Sequence, residues 1–123
     1  MNPFTKMLSA RLQEQRLRDF IARWDALEAL VVRVYRAQRA TPEDEAEYER
    51  LRSWLLQHYA EWQAALEPHW RSAKRAGRLC QSDPFMDMLR PAQATEFVGS
   101  WELMQALPAA REALNRLIIE RGA

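Results

Sequence analysis

The chain has little of what usually cross-links or rigidifies a small protein. It carries one cysteine, Cys80, in 123 residues, so no intramolecular disulfide can form and stability has to come from a packed apolar core. Glycine occurs three times and proline six, too rarely for a turn-dense β-sandwich, a collagen-like repeat or a flexible linker. Charge of one sign is also missing. The 18 basic residues are nearly cancelled by 17 acidic ones, which gives no whole-molecule attraction to nucleic acid or to an anionic membrane. No apolar run approaches the roughly 18 residues that a membrane span needs. The opening Met1-Asn2-Pro3-Phe4 runs into charged residues rather than into an apolar signal core, so a cytoplasmic location is expected.

Alanine, leucine, arginine and glutamate dominate what is there, and their apolar positions recur at steps of three and four, with no stretch of strand-like alternation. The expectation is an all-α fold in one domain, residues 1–123: a helical bundle in which a long antiparallel helical hairpin is packed by three shorter C-terminal helices.

The stretch around which the bundle is organised runs from Thr41 to Gly77. Thr41 suits an N-cap and Pro42 the first helical position, where its missing N–H is no loss. Asp44, three residues after the cap, is a shorter relative of the capping-box glutamate, and Glu43, Glu45, Glu47 and Glu49 sit where the helix dipole favours negative charge. Tyr48, Leu51, Leu55, His58, Tyr59, Trp62, Leu66 and Trp70 then share a face. Pro68 predicts a kink or break, since it lacks the N–H that would bond the carbonyl of Ala64. Arg71, Lys74 and Arg75 form a cationic last turn before Gly77.

From about Phe4 to Arg39 the spacing predicts the other long helix, with Phe20, Trp24, Leu27, Val31, Val34/Tyr35 and Gln38 on one stripe. Its first part carries Phe4, Met7, Leu8 and Leu12 thinly among charges, and residues 1–19 are expected to form a looser arm. A connection of only a residue or two near Ala40 makes the two helices an antiparallel hairpin. Charge agrees with that pairing: residues 1–40 hold eight basic and four acidic groups (+4), residues 41–67 two basic and seven acidic (−5).

Beyond Gly77, Ser82 or Asp83 is placed to cap a short helix from Pro84 to about Leu89, closed by Pro91. Ala92 to Gln105 reads as a further helix bent or divided at Gly99-Ser100, and Leu107-Pro108 as the start of the last one, which Gly122 stops.

Residues able to carry chemistry are few. His58 and Glu61 lie three apart, within reach of one ion, but no Glu-x-x-His repeat accompanies them and the chain has two histidines. His69, eleven residues on, is about 16 Å away along an unbroken helix. No metal site is expected. Cys80 would be a nucleophile only with a histidine beside it in space. Glycine-rich phosphate loops and serine elbows are absent, and neither an enzyme nor a cofactor is expected. Arg71, Lys74, Arg75 and Arg78 put four cations near Trp70, a pattern that helix-dipole complementation explains without nucleic acid.

Two functional readings follow. The first is a non-enzymatic module for protein–protein interaction or self-association, as a homodimer or with another protein. It rests on the length of the hairpin, which short C-terminal helices leave uncovered toward Phe4, Leu8 and Leu12 or toward Trp54 and Leu56. The second is a small-ligand-binding bundle whose pocket is walled by Trp54, His58, Trp62 and Trp101.

Overall fold

A computed structural model describes residues 2–77 and 82–122, the side chains of 73–77 excepted. The fold is an all-α bundle, with no strand among the described residues. Helix α1 spans Pro3–Ala37 and α2 spans Pro42–Gly77; the shorter α3 (Pro84–Leu89), a 3-10 turn (Ala94–Phe97), α4 (Trp101–Met104) and α5 (Ala106–Arg121) follow.

The two long helices start as their sequences dictate. Asn2 Oδ1 accepts from the Thr5 N–H at 2.8 Å, and Pro3 opens α1. At α2, Thr41 Oγ1 accepts from the Asp44 N–H while Asp44 Oδ2 accepts from the Thr41 N–H, each at 3.0 Å. This is a capping box with aspartate in the glutamate place, and it satisfies two end groups reciprocally. Helix α1 ends on Gln38, whose φ of 58° is left-handed. Its amide Nε2 donates to the Tyr35 carbonyl at 2.6 Å, which offsets part of the cost of that conformation in a residue with a Cβ.

The connection is four residues, 38–41, and the helices run antiparallel with charge-complementary contacts along the seam. Arg33 meets Asp44 at 2.6 Å near the closed end and Arg16 meets Glu61 at 3.4 Å farther along. Between them Phe20 stacks on Tyr59, ring centroids 6.3 Å apart. Most of the expected stripe positions are buried, Phe20, Trp24, Leu27, Val31 and Val34 from α1 and Tyr48, Leu55, Tyr59, Trp62, Leu66 and Trp70 from α2; Leu17 and Leu30 join them, whereas Tyr35, Leu51 and His58 are half-buried and Gln38 is exposed.

Helix α2 runs on through Pro68, so of the kink or break expected there the break is not made. An interior proline costs a helix about 3 kcal/mol. Here Leu66 and Trp70, buried on either side of it, hold the helix against the bundle, and Arg71 bridges the site by bonding Glu67 at 2.7 Å.

In the C-terminal part, Ala92 to Gln105 is divided at Gly99-Ser100 as the sequence suggests: Gly99, at φ +68°, separates the first half from α4, and that first half is a 3-10 turn rather than an α-helix. Helix α5 begins at Ala106, and Gly122, at φ +69°, stops it by donating to the carbonyls of Ile118 and Ile119.

Three side chains of α2 hold these short pieces down. Tyr48 Oη donates to the carbonyls of Met88 (3.1 Å) and Pro91 (2.9 Å), and Arg52 Nε donates to that of Leu89 (2.6 Å). Glu45 accepts from the Ala94 and Thr95 N–H groups at 2.6 and 3.0 Å, an N-terminal cap supplied from another helix. Phe85 of α3 fills the centre, 4.8 Å from Trp24 and 5.4 Å from Tyr59. Asp83 caps α3 through the Phe85 N–H at 2.9 Å and accepts the Tyr59 hydroxyl at 2.5 Å. Burial, and for Tyr59 also the bond to Asp83, pushes both phenols above their ordinary value of 10.0.

Candidate functional site

Trp54, His58 and Trp62 are brought together, as i, i+4, i+8 neighbours on α2. His58 stacks on Trp54 with centroids 3.9 Å apart and planes 17° apart, and the Arg23 guanidinium lies 4.4 Å above the Trp54 ring on α1's side. The three groups form a cation, indole and imidazole sandwich. His58 Nδ1 lies 2.8 Å from the Trp54 carbonyl, an acceptor only, so Nδ1 carries a proton. With Arg16, Asp19 and Glu61 these residues line a cleft of about 110 Å³. Pockets for organic ligands are about 300–1,000 Å³, so this one has room for a few waters.

Trp101 is not part of that cleft. It sits on α4, 64% exposed. Nor do His58 and His69 approach one another: His69 Nε2 bonds Glu120 at 2.7 Å and ties the last turn of α5 to α2. Among the described residues no group of three or more His, Cys, Asp or Glu is arranged to hold a metal ion. Of the basic set near Gly77, Arg71 is paired with Glu67 and lies over the Trp70 ring at 5.1 Å. The side chains of Lys74, Arg75 and Arg78, and Cys80, lie outside the described residues. Trp54 and Leu56, expected as uncovered apolar surface, are half-buried against the core.

The exposed apolar surface is at the start of α1. No residue from Asn2 to Arg16 is buried, and the first buried one is Leu17. Within this projecting arm Phe4 is 64% exposed, Leu12 60%, and Met7 and Leu8 44% each. Ile119, 79% exposed, is one residue from the Glu120 that bonds His69.

Farther along α1 lies a second feature that the sequence reading missed. A groove of about 770 Å³ follows its outer side from Asp25 to Ala37, floored by Ala29 and Val32 and edged by Arg33, Arg36 and Arg111. Arg111 of α5 reaches across to bond Asp25 at 2.6 Å and Glu28 at 2.6 and 2.9 Å. Burial works against its charge, yet the bonds to Glu28 and Asp25 outweigh that and raise its pKa above the ordinary arginine value. The available signal was the small or polar character of Asp25, Ala29, Val32 and Arg36 at helical spacing, opposite the core stripe. Arg111 lies 86 residues from Asp25 in the chain, so spacing along one helix says nothing of it.

No helix among the described residues is long and apolar enough to cross a membrane. Comparison with protein-family models, with curated proteins and with solved structures finds no match.

Proposed function

We propose that this chain is a non-enzymatic, cytoplasmic interaction module that works by protein–protein contact, first of all with a second copy of itself. The observation that supports it is the arm of α1, four helical turns with Phe4, Met7, Leu8 and Leu12 in solvent. A helix of about 14 residues without tertiary packing is marginal in water, and a contiguous apolar patch on a soluble protein usually marks a contact. Two-fold pairing is the commonest closed solution. The cleft beside Trp54 and His58 gives the ligand-binding reading no comparable support, because of its volume.

Sedimentation equilibrium across micromolar concentrations tests the reading. The expected mass is twice the chain's 14.5 kDa. A mass staying at 14.5 kDa throughout overturns self-association.

A further inference from the structure

The outer side of α1 carries both halves of a self-complementary contact. At about 100° per residue, Phe4, Met7, Leu8 and Leu12 centre about 65° from the groove residues Asp25, Ala29, Val32 and Arg36, so a line along the helix midway between them lies within about 35° of both centres. Both centres lie well over 100° from that of the core stripe of Leu17, Phe20, Trp24 and Leu27. One continuous helix, Pro3–Ala37, therefore presents large apolar side chains at one end and a small-residue groove at the other, on the two flanks of one shared line.

We infer that two copies pair antiparallel along this face, each laying its arm into the groove of the other, about a two-fold axis passing between Arg18 and Asp19. The inference rests on the proposed self-association and names the surface that performs it. Lengths match: residues 3–16 extend about 20 Å and residues 25–37 about 18 Å. Sizes match as well. In this register Leu8 lies over the second copy's Ala29, Gln15 over its Ala22, and Phe4 over the Val32 and Arg33 end, where a guanidinium above the ring is favourable.

Charge agrees with the same register. Arg11 falls beside the second copy's Asp25 and Glu28, and at the axis Arg18 and Asp19 face their counterparts reciprocally. Within one chain Arg18 already bonds Glu14 and Gln15 bonds Asp19, so the central charges extend an ordered network. A strip about 50 Å long and about 10 Å wide on each copy covers on the order of 1,000 Å² in total, the lower bound for a specific interface. Arm against arm alone would cover less than half of that.

Cross-linking in the full-length chain tests the register. Leu8→Cys and Ala29→Cys are made on separate chains, each with Cys80→Ser, then mixed and oxidised. The expected product is a disulfide-linked dimer in the mixture, in excess of that from either variant alone, because the two positions meet only between copies. If the protein sediments as a dimer but Leu8→Cys links to itself and not to Ala29→Cys, the arms pair with each other. The register is then overturned while self-association stands. A monomeric mass overturns both and leaves the groove to another occupant. As a second readout, Ala29→Glu places a charge under the incoming Leu8 and is expected to weaken dimerisation at least about tenfold. Ala29 is exposed in the single chain, so the thermal midpoint of dilute, monomeric protein should not move. Unchanged dimerisation in that variant would overturn the groove as the contact.

Discussion

Replacing Tyr48 with phenylalanine isolates the polar part of the anchor that α2 extends to the C-terminal segments. The ring is fully buried and sits edge-on to Phe97 with centroids 5.7 Å apart, a contact that phenylalanine keeps. What is lost is one hydroxyl that donates to two carbonyls, those of Met88 and Pro91. Neither oxygen regains water in that interior, and leaving buried acceptors unsatisfied costs about 1–2 kcal/mol. At about 2.1 cal/mol/K per residue, the unfolding entropy of the 123-residue chain is about 0.25 kcal/mol/K, so the midpoint should fall by about 4–8 °C. Calorimetry measures this directly, and urea titration adds the slope, which should be unchanged if the native state alone is affected. A midpoint within about 1 °C of the parent would mean that the hydroxyl does not tie the α3 end to α2. The account of why these short elements stay in place would then be wrong.

Thr41→Ala removes one half of the reciprocal cap at α2 and should cost about 1 kcal/mol, read from the denaturation midpoint. Asp44, the other half, has its pKa held below 3.8 by the backbone bond from Thr41 and the side-chain bond from Arg33. Its contribution to stability is therefore complete above the ordinary carboxylate range and lost as pH falls through the lowered value, so Asp44→Asn should flatten the acid limb of the stability profile. Tyr48 and Tyr59 have pKa values raised above 10.0; the unfolded chain ionises first, and stability should decline as pH rises beyond 10. Absorbance at 295 nm should show these two phenols titrating together with unfolding, and ionisation near pH 10 in the folded state would contradict their burial. Gln38→Gly relieves a left-handed backbone at the end of α1 and should raise stability by about 0.5–1 kcal/mol less what the bond to Tyr35 contributes; a loss above about 1 kcal/mol would show that bond to outweigh the strain.

The elements that the chain determines by itself are those with local causes. The α2 start follows from Thr41, Pro42 and Asp44, because a cap is made by atoms three residues apart. The core stripes follow from Phe20, Trp24, Leu27 and Tyr48, Leu55, Trp62, because helical periodicity is a property of one segment. The hairpin follows from the short connection and the opposed charges of its arms. Where the reading failed, a distant residue had decided the matter. Pro68 stays helical because Leu66 and Trp70 are buried around it. The 94–97 segment is a 3-10 turn capped by Glu45, 49 residues earlier, and no window of sequence contains that carboxylate. The candidate site divides the same way. Phe4, Leu8 and Leu12 were legible as sparse apolar residues, but that no described part of the chain buries them is a tertiary fact. Trp54, His58 and Trp62 were legible as neighbours on α2, whereas the small size of their cleft and the separation of Trp101 depend on how α1 and α4 pack. The groove beside Ala29 has Arg111 on its lining because the fold brings that side chain to Asp25 and Glu28, and that approach belongs to the folded bundle, not to any helix alone.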